Sequence, residues 1–394
     1  MPLKVLVIDR AAPLNPRQGN ALIAIEVMRR LAHHEIVLVA PGVASEEDAE
    51  RLAEMFAEVH LVPRARWTPA LSGSFEPVAM DRFSRLPAMD LRAARAVAEA
   101  VRSVSARRPF DVVHVRQLPM AGYAADLRPK KLLELIDSET LGAERTRPRT
   151  VRTMLRAVVA ARVEERAMAG FDIVTAVAEA DAERLRRLRP CHRIDVVPNG
   201  VDTERFAPEM NEPEEDTTLV FVGAMSFGPN VAAMQWFCAH VFPTVRALHP
   251  QARLEIVGRG PSDAVRSLEE IDGVTVTGEV DDVRPYLARA TAFVAPMVSG
   301  SGIKNKVLEA MAMRLPVVAT PLGVEGLALV PDEEVLVAPT AGAMAQAIVE
   351  LLDDPMKRRS IGASARAVVE QRYTWDACAA SYERLWHELA AADR

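Results

Sequence analysis

The run Gly300-Ser301-Gly302-Ile303-Lys304-Asn305-Lys306-Val307-Leu308-Glu309 gathers residue types that hold anions and polyols. A glycine-rich turn follows the apolar strand Thr291 to Ala295 and opens directly into a helix. The bare N–H groups of such a turn, with the positive end of the helix behind them, make a seat for a phosphate. Lys304 adds a full positive charge beside that seat. Glu309 falls five residues after Lys304, near the same helical face, where a carboxylate can grip sugar hydroxyls. An anion at the helix start and a polyol one turn in read as a nucleotide-diphosphate site. The plainer alternatives are a solvated lysine at 304 and an exposed glutamate at 309 paired with Lys306.

Other chemistries find less support. The loop after the first strand, Pro13 to Gly19, lacks G-x-G-x-x-G, which argues against a dinucleotide dehydrogenase. Gly258-Arg259-Gly260 does not supply that motif either, because Pro261 follows. Asp-x-Asp is absent, and Asp281-Asp282 reads as the cap of a helix starting near Val283, so no metal is expected. Cys191, Cys238 and Cys378 have no CxxC spacing, and neither a disulfide framework nor a zinc site is supported.

To position a phosphate turn the chain needs strands that end in loops, and it has many. Short apolar runs alternate with helical patterns, the mark of parallel sheets built from βαβ units. In the first half the expected strands are Lys4–Ile8, Ile36–Ala40, Val59–Val62, Val112–Val115, Leu132–Ile136, Ile173–Ala176 and Ile194–Val197. Helices are expected over Asn20–Leu31, Ser45–Phe56 and Leu91–Ser103. The acidic, Pro-containing segment from Ala207 to Asp216 breaks the pattern as a linker. A second series follows: Leu219–Val222, Leu254–Val257, Val274–Val276, Ala292–Ala295 and Val317–Ala319 as strands, Val231–Leu248 and Ile303–Met313 as helices.

The reading is therefore α/β: two doubly wound Rossmann-like domains, residues 1–206 and 217–372, joined by a linker at 207–216. The helix in 373–394 is expected to cross back to the first domain. Ligands in such sheets bind at the carboxyl ends of the strands, so the cleft between two facing sheets is the expected site.

Composition agrees. With 394 residues, 49% of them hydrophobic and 26% charged, the chain suits two globular domains. A net charge of −6 gives no pull towards nucleic acid. The N-terminus runs straight into a strand, so no signal peptide is expected. No apolar stretch reaches the roughly 20 residues that cross a bilayer. These features point to the cytoplasm. Seven arginines between Arg145 and Arg166 form either a solvated face or a patch for an anionic membrane or acidic acceptor.

Several stretches together resemble glycosyltransferase family 4, the retaining enzymes of the GT-B fold. They are Val196-Val197-Pro198-Asn199-Gly200-Val201-Asp202, Val222-Gly223-Ala224-Met225 with Pro229-Asn230, and Ile256 to Pro261. The turn at 300–304 and Leu315 to Pro321 with Glu325-Gly326 complete the set. The phrase ending Asn-Lys-Val-Leu-Glu-Ala-Met-Ala-Met is most like sugar transferases of bacterial exopolysaccharide systems. In the first half the likeness rests on Asp111-Val112-Val113-His114 and on Val174 to Val177 with Glu179-Ala180-Asp181.

The resemblance implies transfer of a sugar from a nucleotide sugar, without a metal or other cofactor, to a carbohydrate, lipid-linked or small-molecule acceptor. The donor would contact Gly19, Gly223, Arg259, Gly278, Val280, Ser299, Gly300, Ser301, Gly302, Ile303, Lys304 and Glu309. His114 and Lys304 would be catalytic, with Arg116 and Gln117 beside the acceptor. Gly278-Glu279-Val280 would meet the base through backbone atoms. Two departures stand out. The family often has two glutamates eight positions apart, and the position eight before Glu309 is Ser301. The family's Arg and Lys after the first strand of the second domain are missing from Ala224-Met225-Ser226-Phe227-Gly228-Pro229-Asn230, which leaves Lys304 as the expected pyrophosphate cation. By analogy with oxyanion donors, losing it is expected to cost roughly 10²–10³ in rate. A sugar-nucleotide epimerase and a catalytically silent nucleotide-sugar binder are the alternatives.

Overall fold

Runs of branched apolar residues bounded by Gly, Pro and charged residues form parallel strands in the computed structural model. It describes all residues except 16–18, 64–90, 146–149, 209–216, 301 and 393–394. Seven strands make the first sheet: β1 (Lys4–Ile8), β2 (Glu35–Pro41), β3 (Glu58–Val62), β4 (Val112–Arg116), β5 (Lys130–Glu134), β6 (Ile173–Ala176) and β7 (Ile194–Val196). Their order is β3-β2-β1-β4-β5-β6-β7, so the winding reverses between β1 and β4. Six strands make the second: β8 (Thr218–Val222), β9 (Arg253–Val257), β10 (Val274–Gly278), β11 (Ala292–Ala295), β12 (Val317–Ala319) and β13 (Leu336–Val337). Their order, β10-β9-β8-β11-β12-β13, reverses between β8 and β11.

Each sheet is buried on both faces, which is why its strands read as near-continuous apolar runs. In the second sheet Leu219 and Phe221 pack on one side with Phe237 and Phe242, while Val220 and Val222 pack on the other with Leu308 and Met311. The helix expected over 231–248 is two, Gly228–His240 and Phe242–Leu248. Pro243 lies in the first turn of the second, where its missing N–H costs nothing.

The chain divides into two units, Met1–Val197 with Asp376–Arg394, and Pro198–Trp375. The division falls nine residues before the expected end of the first domain at 206. Val201 bridges to Thr374, and Phe206 lies in the core of the second unit, so 198–206 belong with the later residues. Most of the expected linker, 209–216, lies outside the described residues. The final helix, Trp375–Ala392, starts at the division and runs through the first unit, where Trp386 is fully buried.

Candidate functional site

The second sheet changes direction at β8 and β11, and loops leaving the carboxyl ends at such a point are where ligands bind in doubly wound sheets. There the backbone is held open. Gly258, after β9, has φ +142°, and a Cβ on it would lie 1.9 Å from the Gly223 carbonyl oxygen after β8. The two loops can approach this closely only because neither position carries a side chain. Gly300 (φ 106°) and Gly302 (φ 69°), after β11, complete a turn whose backbone no other residue adopts easily. It leads into helix Asn305–Ala312. Asn199 ties its amide to Asn305 at 3.0 Å, joining the 198–202 segment to the start of that helix.

The structure brings most of the expected donor residues to this edge. Gly223, Arg259, Ser299, Gly300, Gly302, Ile303, Lys304 and Glu309 all lie in the loops after β8, β9 and β11 or in the helix that follows. Gly278 ends β10 and Val280 follows it, with the Gly278 carbonyl accepting the Gly258 N–H at 3.1 Å. Ser301 lies outside the described residues. Asp282 accepts the Arg284 N–H at 2.9 Å and pairs with its guanidinium, as a helix-start residue does.

The two lysines of the turn behave differently from expectation. Lys304 precedes the helix with its side chain turned back, and its Nζ donates to the Gly302 carbonyl at 2.6 Å. Only 7% exposed, it ties the turn together rather than standing in solvent. Lys306, which the sequence offered only as a partner for Glu309, is half-buried and points to β8. Its Nζ donates to Asn230 Oδ1 at 2.5 Å and stands 4.2 Å from the centroid of the Phe221 ring. Burial, with Lys304 nearby, holds its ammonium down to about 7. Burial raises the Glu309 carboxyl against the pull of Arg205 and Lys306. That carboxylate makes no hydrogen bond to a described residue.

In the first unit, several expected site residues face inward. Val113 and Val115 of β4 join one core, while His114 and Arg116 take the alternate face. His114 is fully buried: its Nε2 is 3.1 Å from Glu134 Oε2, and the Trp386 indole N–H donates to its Nδ1 at 3.3 Å. Arg116, expected beside the acceptor, is 1% exposed. It spans Asp9 at 2.5 Å and Glu134 at 2.8 Å. Burial alone would lift the Glu134 carboxyl, but Arg116 and His114 hold it down to about 2. These two corrections share one cause. The strand is covered on both faces, so a polar side chain at its end points into a packed layer and must be paired there. Gln117 is different: half-buried, with φ +71°, it is one of three described non-glycine residues with positive φ. Gly19 is not in a loop but opens helix Gly19–Arg30, exposed, where a Cβ would touch nothing within 4 Å.

Among the described residues His33, His34 and Glu383 are the group close enough to share a metal ion. The Leu3 N–H donates to His34 Nδ1 at 3.0 Å, which places the ring proton on Nε2, facing Glu383 Oε1 at 3.1 Å. A proton there leaves no lone pair for a cation, and the trio is a hydrogen-bonded strap. A cavity of about 960 Å³ lined by Glu99, Arg102, Phe110, Tyr123 and Asp126 opens at the amino ends of β4 and β5 and holds none of the expected site residues.

The family model described as Glycosyltransferase Family 4 matches residues 24–205, and that described as Glycosyl transferases group 1 matches residues 216–354. Over 229 residues the chain is 29% identical to the GDP-mannose-dependent monoacylated alpha-(1-6)-phosphatidylinositol monomannoside mannosyltransferase of Corynebacterium glutamicum. That alignment covers 52% of this chain and 59% of the relative, little more than half its length. Sucrose-phosphate synthase from Thermosynechococcus elongatus superposes with a TM-score of 0.72 at 18% identity, over 99% of this chain and 100% of that one. HepE of Anabaena, solved with UDP and glucose, gives 0.68 at 16% identity over 98% and 100%. At such identities the likeness shows the fold, which is GT-B.

Proposed function

We propose that this chain, which belongs to the family 4 glycosyltransferases, moves a sugar from a nucleotide-diphosphate sugar to an acceptor hydroxyl in bacterial glycoconjugate synthesis, with retention at the anomeric carbon. The carrying observation is the edge at β8 and β11, where glycines, a helix N-terminus, a lysine and a carboxylate without a described hydrogen bond meet at the reversal of the sheet. In the transfer, the bond between the anomeric carbon and the β-phosphate oxygen breaks and its electron pair stays on the leaving diphosphate. The acceptor oxygen bonds to that carbon and gives up its proton to an oxygen of the departing diphosphate. Donors at the turn act on the rate to the extent that they hold the departing diphosphate more tightly than the intact donor. Glu309 is the group for ribose hydroxyls. Helix and lysine take the place of Mg²⁺ at the diphosphate.

The relative's phosphatidylinositol-linked acceptor makes a lipid-linked one the first to test here. Helix Val151–Met168 supports contact with a membrane surface, because it exposes Val151, Met154, Leu155 and Val158 at helical spacing beside the exposed Arg152 and Arg156. Among the described residues no helix is long and apolar enough to cross a membrane.

Incubation with GDP-, UDP-, dTDP- and ADP-sugars, with and without EDTA, tests the reading. Release of the nucleoside diphosphate, unaffected by chelation, is the expected result. A C2-inverted sugar nucleotide would mean an epimerase, and binding without turnover a silent binder. Sedimentation with liposomes containing anionic lipid, against neutral ones, tests the surface contact.

A further inference from the structure

Two lysines lie two residues apart at one helix start, and the structure gives them different work. Such neighbours do not share a face of a helix. Lys304 turns back onto the Gly302 carbonyl. Lys306 crosses to the end of β8, where a Cβ on Gly223 would come within 3.1 Å of its Nζ.

We propose that Lys306, rather than Lys304, is the cation that receives the diphosphate, with Asn230 as the residue that positions it; this rests on the nucleotide-sugar reading above. Three observations carry the assignment. The first is place: the Lys306 ammonium stands at the end of β8, beside Gly223, on the helix that follows the glycine turn after β11, at the reversal of the sheet. The second is orientation. Asn230 is buried, and its Nδ2 donates to the Ala224 carbonyl at 3.0 Å, which fixes its Oδ1 towards the lysine. The third is unspent charge. The described direct contacts of the ammonium are a neutral amide oxygen and the face of Phe221, while the Glu309 carboxylate acts on it without a described hydrogen bond. Residues 224–230 offer no lysine or arginine, so none competes for this position from the β8 loop.

An arriving diphosphate exchanges the amide oxygen for charged oxygens, and charge-assisted hydrogen bonds are about twice as strong as neutral ones. The charged groups that act on the lysine are Glu309 on its own helix and Lys304 before it, with Arg205 acting on Glu309. With its ammonium held down to about 7, part of the population is neutral in the free protein, and an anion draws a proton in.

Calorimetry of the whole chain with UDP, GDP, dTDP and ADP, and with the matching nucleosides, tests this. For the diphosphate that binds wild type most tightly, Lys306→Met is expected to weaken binding by about 10- to 100-fold and to leave the nucleoside within about twofold. Lys304→Met should change either by less than about threefold. At pH 8 wild type should take up protons on binding the diphosphate, seen as a buffer-dependent enthalpy that Lys306→Met lacks. The double variant Asn230→Lys with Lys306→Asn puts the charge back from the other side and should regain most of the affinity, which keeps the test open if Lys306→Met folds poorly. A folded Lys306→Met with wild-type diphosphate affinity, or one that loses nucleoside and diphosphate alike, overturns the assignment. Wild type that binds none of the four diphosphates overturns the nucleotide-sugar reading itself.

Discussion

At the carboxyl ends of β1 and β4, where the first sheet reverses, charged side chains fill the space. Asp9 and Arg116 meet there at 2.5 Å, Glu134 of β5 joins at 2.8 Å, and His114 and Tyr382 close over them, all buried. At the matching ends of β8 and β11 in the second sheet stand Gly223, Gly300 and Gly302, with a lysine held by an amide oxygen and the face of Phe221. Both sheets have the winding that creates a binding crevice. In the first the charges are paired with each other; in the second, on the reading proposed above, the glycine turn and an ammonium are left to a ligand. Winding therefore says where a site can be, and internal pairing of charge decides whether one is there.

The strongest way to break that contrast is to open the plugged end. Arg116→Ala leaves Asp9 and Glu134 buried without their counter-charge, and losing one partner of such a set typically costs about 3–5 kcal/mol. Urea unfolding at pH 7 should show that loss, with diphosphate affinity of the folded variant within about twofold of wild type. The pH dependence should change as well. Glu134, depressed to about 2, contributes stability that is present above its ordinary value of 4.5 and is lost as pH falls towards 2. Asp9, raised by burial, contributes in the opposite sense, most at low pH and less as pH rises through its raised value. Removing Arg116 takes away what holds Glu134 down, so the variant should lose less on going from pH 5 to pH 3 than wild type does. Unchanged stability would mean that the cluster is not a plug.

Closing the open end is the next test. Gly258→Ala adds a Cβ against the Gly223 carbonyl at a φ of +142° that alanine resists. Strain of this kind costs about 1–3 kcal/mol, and the clash pushes the β8 loop away from the turn. A melting temperature lower by several degrees and diphosphate affinity lower by at least about tenfold are expected. Gly19→Ala, where a Cβ meets nothing, is the matched control and should alter neither.

Much of this contrast is already present in the residue order. The strand Ala292–Ala295, the glycines at 300 and 302 and the helix behind them are consecutive, so local propensity fixes them, and Ile173–Ala176 and Val317–Ala319 fall where the apolar runs lie. The strand Leu336–Val337 is two residues long, within the short apolar run Val335 to Ala338, and is not among the expected strands. What the order does not contain is direction. With β4 covered on both faces, alternation separates His114 from Val113 but does not say which layer is packed and which is open. The same holds for Lys304 and Lys306, since the choice between them depends on Asn230 and Phe221, 76 and 85 residues earlier in the chain. The first unit's boundary was hidden for a related reason, because Val201 finds its strand partner at Thr374.

The smallest expected effect sharpens the comparison within the turn itself. In sequence, Lys304 stands closest to the glycines and has the stronger claim to the phosphate; in the fold its ammonium already has an acceptor in Gly302 O at 2.6 Å, and the side chain is 7% exposed. To reach a ligand it would have to give up that bond and leave a buried carbonyl unpaired, which costs about 1–3 kcal/mol before any gain. Lys306 gives up only a contact to Asn230, on a path that already ends at β8. Lys304→Ala should therefore loosen the turn without removing the charge that meets the diphosphate. Its kcat for diphosphate release should fall by no more than about tenfold, well short of the 10²–10³ typical of a lost oxyanion donor. Its KM for the donor should stay within about threefold. A fall of a hundredfold or more with Lys306 intact would show that the charge at 304 reaches the leaving group, and the division of labour between the two lysines would be reversed.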